Sequence, residues 1–321
     1  MMKITERETN PFKNSDTNKR YYTYDYYLKR KYGMKIFKAP IDAGFTCPNI
    51  DGKCGYGGCT YCSGRGSGDF APPSYLSVRE QYEKSAEMMR KKWPQSRGIV
   101  YFQAHTNTYA PIERLRALYE EALSIRDAVG VSIATRADCL EDETVALLKE
   151  LSERTDLTVE LGLQTVWDKT AERINRGHDY KTFLEGYEKL RSNGIDVCIH
   201  IINGLPGEDF DMMMDTARAV ASLRPTAVKI HLLHVIKGTV LAEEYKRGEL
   251  SPLTREAYVK TVVSQLEIMP ADTVIGRVTG DGAPDTLLAP EWSKKKLTVM
   301  NEIDKEFVKR GTYQGIFEHS Q

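Results

Sequence analysis

Four cysteines, Cys47, Cys54, Cys59 and Cys62, fall within sixteen residues of the stretch "FTCPNIDGKCGYGGCTYCSGRG". Thiolates gathered this densely hold metal, and two ligand sets are open. Four thiolates close a tetrahedral zinc site or a complete iron–sulfur cluster; three hold a four-iron cluster and leave one iron without a protein ligand. The spacing offers Cys47-x11-Cys59-x2-Cys62 or Cys54-x4-Cys59-x2-Cys62. Only Cys59 and Cys62 form a short C-x2-C hook, whereas a zinc ribbon pairs two such hooks. Gly52, Gly55, Gly57, Gly58, Gly64, Gly66 and Gly68 let backbone wrap closely, so that amides can point at cluster sulfides. Tyr61 can lay an aromatic face beside whatever binds an open iron. Cys139 and Cys198 lie apart from the loop and read as small core residues.

Something must position that loop. Short β-branched runs at 35–41, 98–104, 129–135, 157–163, 196–204 and 227–233 alternate with helical periodicity near 77–92, 111–127, 141–154, 180–193, 209–223 and 254–268. Ser77 and Glu80 form a capping box at the start of the first of those helices. Six β/α repeats predict a parallel sheet with right-handed crossovers, curling into an open or closed barrel. Ligands collect at the carboxyl ends of such strands, and Cys47 lies six residues beyond the first strand. The tail from about 271, "VIGRVTGDGAPDTLLAPEW", reads as an ordered loop, followed by a helix near 297–310. The expected organisation is an N-terminal extension at 1–34, a barrel at 35–270 and a C-terminal extension at 271–321.

Composition bounds the partners. Lys plus Arg equals Asp plus Glu at 45 each, so net charge carries no information. The first 38 residues, however, hold ten basic side chains against four acidic ones, with a tyrosine cluster in "RYYTYDYYLKRKYG". No run of eighteen apolar residues and no apolar signal core is present, so neither a membrane span nor secretion is expected, and the cytoplasm is the expected location.

The motifs "DAGFTCPNIDGKCGYGGCTYC", "YFQAHTNTYAP", "TRADCL", "VELGLQT", "NRGHDY", "IINGLPGE", "KIHLLHVIKGT" and "RVTGDGAPDTLLAPEW" occur in this order. Together they resemble the YhcC/YtqA type of radical S-adenosylmethionine (SAM) protein. Parts also resemble the radical SAM domain of the elongator catalytic subunit, a tRNA-modifying enzyme, and "IINGLPGE" is similar to oxygen-independent coproporphyrinogen oxidase. The resemblance implies an α/β fold, a partial (β/α)6 TIM-like barrel with N- and C-terminal extensions. It implies a [4Fe-4S] cluster on Cys47, Cys59 and Cys62, SAM on the open iron, and reductive cleavage to a 5′-deoxyadenosyl radical that abstracts hydrogen from substrate. The pattern generally lacks a cysteine at position 54. Cys54 stays open between a bystander, a redox-active neighbour and a ligand competing with Cys47.

Strand ends supply the remaining candidates. Gln103, Thr106 and Asn107 follow strand two, where many radical SAM proteins bind the methionine amino group. Arg136 and Asp138 follow strand three, and Gln164 ends strand four. Glu160, facing a barrel interior, either touches SAM or substrate or forms a buried ion pair, with Arg136 as its partner. Asn203 and Gly204 end strand five and can approach adenosine through backbone. Lys229 and His231 share one face of strand six; His231 and His200 can also be core histidines. By resemblance, His234 and Val235 contact adenine and His178 lines the substrate side. Glu160, His178, Lys229 and His231 are the catalytic candidates.

The basic, tyrosine-rich N-terminus suits phosphates and stacked bases, and Tyr21, Tyr24 and Leu28 equally suit a helix pinned by packing. The resemblance implies a tRNA substrate, with carboxymethylaminomethyl-uridine at the wobble position converted to aminomethyl-uridine. It also implies an electron donor such as flavodoxin or ferredoxin, and the tRNA reading brings a downstream methyltransferase. The competing readings are a radical SAM enzyme of small metabolites and a zinc-stapled RNA-binding module.

Overall fold

The computed structural model describes residues 10–66, 68, 70–280, 282 and 285–318. Residues 1–9 of the N-terminal extension and 281, 283 and 284 of the Gly- and Pro-rich tail lie outside the described residues. In chain order the elements are α1 (Tyr24–Tyr32), β1 (Ile36–Ile41), α2 (Val78–Arg90), β2 (Arg97–Phe102), α3 (Ile112–Leu123), β3 (Ala128–Thr135), α4 (Asp142–Ser152), β4 (Asp156–Gln164), α5 (Asp168–Arg173) and α6 (Tyr180–Ser192). Then come β5 (Asp196–Asn203), α7 (Phe210–Leu223), β6 (Ala227–Leu232), β7 (Val235–Ile236), α8 (Val240–Lys246), α9 (Arg255–Ile268), β8 (Val274–Arg277), β9 (Leu287–Ala289) and α10 (Lys296–Arg310). Parallel strands form one sheet in the order β1-β2-β3-β4-β5-β6-β8, and β7 pairs antiparallel with β9.

The chain divides into two compact units, Leu28–Leu163 with Ala171–Cys198, and Met1–Tyr27 with Gln164–Thr170 and Ile199–Gln321. In the unit that begins at Leu28, β1, β2, β3 and β4 run in parallel register, with Tyr101 opposite Ser132 and Ala134 opposite Glu160. Ile41, Val100, Phe102, Ile133, Val159 and Leu161 are buried along these strands, as the near-continuous apolar runs of a doubly covered sheet require. Helix α2 starts on the capping box of Ser77 and Glu80 and seals the sheet through Tyr82, whose ring lies 5.9 Å from that of Phe37. Tyr119 of α3 meets Phe102 edge-on at 5.4 Å. Gly186 lets α6 close on the turn at Ala137, whose carbonyl would lie 2.6 Å from a Cβ there.

In the other unit the structure corrects the expectation of a looped tail. Val274–Arg277 forms β8, parallel to β6, so the parallel sheet has a seventh strand beyond the six repeats. Four residues including a glycine are too few to show periodicity, and the neighbour that makes them a strand is 47 residues away in sequence, at Ala227 paired with Val274. Residues of the N-terminal segment join the same edge. Thr23 bridges Ile275 in parallel, and the Ile275 amide donates to the Tyr22 carbonyl at 2.8 Å. Buried Gln314 ties the pieces together: it accepts from the Tyr22 amide at 2.8 Å and donates to the carbonyls of Pro270 and Thr273 at 2.6 and 2.8 Å. Tyr21, 3% exposed, packs its ring 6.3 Å from Phe307 of α10. Packing therefore accounts for Tyr21 and Leu28, both buried.

Candidate metal centre and cofactor site

The loop after β1 is shaped by its own backbone. The amides of Ile50 and Asp51 donate to the Cys47 carbonyl at 2.8 and 3.2 Å, and the Cys62 amide donates to the Cys59 carbonyl at 2.9 Å. Gly52, Gly57, Gly58 and Gly66 have positive φ, which a side chain would strain. All six cysteines are free; Cys47, Cys59 and Cys62 are half-buried, Cys54 is exposed, and Cys139 and Cys198 are buried as expected.

A second loop, residues 174–179, straps the first. Asn49, fully buried, donates from Nδ2 to the Asn175 carbonyl and to Cys59 Sγ at 3.8 Å. Asn175, at φ +52, donates back to the carbonyls of Tyr56 and Gly58 at 3.0 and 2.7 Å. Arg176, 2% exposed, donates to the carbonyls of Leu163 and His178. Gly177 lies so close that a Cβ there would stand 3.0 Å from Asn49 Oδ1 and 3.3 Å from the Arg136 guanidinium. Within "NRGHDY" the family resemblance singles out only His178; the scaffolding part of Asn175, Arg176 and Gly177 is not apparent from the sequence. The available signal is Asn175 and Gly177, residue types that tolerate the positive φ both adopt here.

Arg136 holds Asp138 with two bonds, at 2.9 and 2.7 Å, donates to the Arg176 carbonyl at 2.7 Å, and reaches Cys54 Sγ at 3.6 Å. Burial opposes the charge of Arg136, but Asp138 outweighs it and holds the guanidinium above its usual range. Burial likewise pushes Asp138 up, and Arg136 reverses it to below the usual carboxylate range. The expected Arg136–Glu160 pair is thus replaced. Glu160, 1% exposed, is held by Lys38 from β1, by Ser132 Oγ at 2.8 Å and by the Tyr101 hydroxyl at 2.9 Å. Lys38 was missed, although a lysine within "KIFKAPI" on the face of Ile36 signals a paired charge on a buried strand.

The other candidates of this unit surround the loop. Gln103 is half-buried and donates its amide to the Ile41 carbonyl at 3.3 Å. Thr106, buried, donates its amide to Thr46 at 3.2 Å, joining the end of β2 to the cysteine loop. Asn107, fully buried, donates from Nδ2 to the carbonyls of Ala104 and Ala134 at 3.1 and 2.9 Å, which leaves Oδ1 without a hydrogen bond. Burial and the charges of Cys59 and Cys62 push the Tyr61 hydroxyl well above its usual range. Burial, then the neighbouring Arg176 charge, pushes His178 down to about 4.

Within the other unit, Gln164 has φ +68, a strained backbone for a residue with a Cβ. Asn203 and Gln265 exchange two buried amide hydrogen bonds at 2.8 Å, and the Asn203 carbonyl accepts from Leu233 at 2.9 Å. Its side chain is therefore a packing element. His231 faces His200 with ring centroids 5.0 Å apart, and Lys229 is 8% exposed beside Gly276. Gly280 and Gly282 leave room for the His234 ring, which a Cβ would meet at 2.7 and 3.1 Å. Val235 is fully buried in the β7–β9 pair.

The donor set fits an iron–sulfur cluster. The buried hydroxyls of Thr60 and Ser63, beside Cys59 and Cys62, have no hydrogen-bond partner, as donors awaiting a group at this site would.

The model of the Radical SAM superfamily matches residues 50–220, and that of the radical SAM C-terminal domain matches residues 225–309. The chain is 51% identical to the uncharacterized protein YtqA of Bacillus subtilis over 310 residues, 97% of this chain and 96% of that one. It is 32% identical over 187 residues to the tRNA uridine(34) acetyltransferase of Methanocaldococcus jannaschii, covering 56% of this chain and 34% of that one. Among solved structures, the Elp3 of Methanocaldococcus infernus with an N-terminal deletion aligns with a TM-score of 0.65 at 18% identity, over 87% of this chain and 64% of that one. A thiol loop spaced for a cluster, a parallel β/α sheet and matches along the chain agree: this protein belongs to the radical SAM superfamily, and its cofactors are a [4Fe-4S] cluster and S-adenosylmethionine.

Proposed function

We propose that this chain modifies wobble uridine in tRNA, taking carboxymethylaminomethyl-uridine to aminomethyl-uridine. The observation that carries the reading is the match, across more than half of the chain, to a relative whose name specifies tRNA uridine(34). When bound, the cluster and SAM would supply a hydrogen-abstracting carbon radical; the C–H bond between nitrogen and carboxylate gives a stabilised radical, and with SAM as the two-electron acceptor and water as co-reactant the fragment would leave as glyoxylate, with the amine retained on the uridine. Cys47, Cys59 and Cys62 hold the cluster. In the unit that begins at Leu28, Tyr61, Gln103, Thr106, Asn107 and Arg136 are the cofactor candidates and Glu160 and His178 the substrate candidates; within the other unit, Gln164, Asn203 through its backbone, His234 and Val235 are the cofactor candidates and Lys229 and His231 the substrate candidates. In this reading the enzyme works in the cytoplasm with flavodoxin or ferredoxin as donor and a methyltransferase downstream. Among the described residues no helix is long and apolar enough to cross a membrane.

The test is anaerobic reconstitution followed by incubation with SAM, dithionite and bulk tRNA from a strain lacking the protein. A wobble nucleoside lighter by the carboxymethyl group is expected. SAM cleavage that tRNA neither stimulates nor depends on would instead favour a small metabolite.

A further inference from the structure

Strands β1 to β4 present two unlike faces. Phe37 of β1 packs on Tyr82 of α2, and Phe102 of β2 packs on Tyr119 of α3, so these side chains mark the face that the helices cover. Successive side chains of a strand alternate, which turns Lys38 and Tyr101 to the opposite face. Ala39, Val100, Val159 and Leu161 on the helix side are buried, whereas Lys38, Pro40, Tyr101, Gln103, Ala134 and Gly162 on the opposite face are half-buried. Solvent therefore reaches that face. On it, Lys38 pairs with Glu160, donates to Ser132 Oγ at 3.1 Å and stands 4.5 Å from the centre of the Tyr101 ring, while the Tyr101 hydroxyl donates to Glu160 at 2.9 Å. Exposure within the pair is one-sided: 20% of the Lys38 side chain reaches solvent, and 0% of the Glu160 side chain does. Two residues further along the strands, nearer their carboxyl ends, Pro40, Ala134 and Gly162 place only compact side chains, or none, beyond Lys38, Ser132 and Glu160.

We propose that Lys38 receives the carboxylate of the substrate's carboxymethylamino group. The inference rests on the wobble-uridine reading above and names the residue that tells its substrate from its product. The Lys38 ammonium is a compact point charge with three donors, and Glu160, Ser132 and Tyr101 hold it in place. Glu160 acts here through Lys38, as a positioning residue. A carboxylate brought to Lys38 meets Glu160 as a second negative charge, and the secondary ammonium of the carboxymethylamino group offsets that repulsion. A zwitterion is thus favoured over a simple anion, and the aminomethyl product, which has no carboxylate, makes no bond to Lys38.

The experiment measures binding, so it does not depend on turnover. Cluster-loaded protein is titrated, with SAM and without reductant, against three fluorescent anticodon stem-loops that differ only at the wobble base: uridine, aminomethyl-uridine and carboxymethylaminomethyl-uridine. The wild type is expected to bind the last about ten- to a hundredfold more tightly than the aminomethyl stem-loop, the range for one hydrogen bond to a charged group. Lys38→Met loses that preference and leaves the affinities for the other two unchanged. Lys38→Met with Glu160→Gln strands no carboxylate, shows the same loss and serves if the single variant does not fold. A merely structural role of Lys38 would lower all three affinities together. Retention of the preference in a folded Lys38 variant, or a parallel loss for all three stem-loops, overturns the inference. A wild type that converts the nucleoside but binds the three alike also overturns it. Failure of the wild type to convert the nucleoside in bulk tRNA overturns the wobble-uridine reading itself, a distinguishable result.

Discussion

Glu160 keeps its carboxylate where 1% of the residue reaches solvent, and Lys38, Ser132 and Tyr101 are what make that tolerable. Removing its charge while leaving Lys38 in place, as in Glu160→Gln, takes the carboxylate from an ammonium whose side chain is 20% exposed and which keeps Ser132 Oγ at 3.1 Å. Stability should drop by about 2–4 kcal/mol in urea unfolding of the cluster-free protein. A change within experimental error would mean the pair is not structural and that Glu160 is retained for chemistry alone. His178 makes a second prediction at this scale. Burial and Arg176 set its folded pKa near 4, below its ordinary 6.5, so the native state prefers the neutral ring. The unfolded chain takes up a proton first as pH falls through 6.5. The stability contributed by the neutral ring is therefore complete above 6.5, declines as pH falls and levels off near 4, a loss of about 3 kcal/mol at most. His178→Gln should flatten this part of the pH–stability curve between pH 7 and 5; an unchanged slope would assign it to another group.

At the scale of elements, the cysteine loop has little regular structure of its own, and the 174–179 loop is its support. Asn49 and Asn175 lock the two together across 126 residues of sequence, and Gly177 sets how closely they meet. At φ +83, Gly177→Ala adds left-handed strain and pushes a methyl toward Asn49 Oδ1, so a loss of about 1–2 kcal/mol is expected. Because the displaced Asn49 amide is the one aimed at Cys59, iron retained after reconstitution should fall along with stability. Full iron loading in this variant would show that the strap does not shape the ligands. Beyond its pairing with β6, β8 is met by a similarly remote segment: Thr23, near the N-terminus, bridges Ile275.

For the molecule as a whole, balanced charge makes any tRNA affinity a local matter. Lys19 pairs with Asp304, and Arg20 donates to the carbonyls of Phe307 and Thr312, so part of the basic N-terminus holds its own unit together. Lys29 and Arg30 on α1 are exposed. If they meet phosphates, the log–log dependence of tRNA affinity on salt should lose about 0.7–0.9 for each residue replaced by alanine. An unchanged slope would place the RNA contact on another surface.

The order of strands and helices and the chemistry of the cysteine loop were legible because both are local. Burial repeats every two or 3.6 residues, and ligands that share one metal sit close in sequence. What β8 would pair with, which cation neutralises Glu160, and where Arg136 points depend on partners 47, 122 and 82 residues away. Periodicity carries no trace of such separations. The sequence offers Arg136 as the partner if Glu160 forms a buried ion pair, yet in the structure Lys38 of β1 pairs with Glu160 and Asp138, two residues away, pairs with Arg136. Strand neighbours in a parallel sheet are set by crossovers, so only the folded chain decides which charges meet.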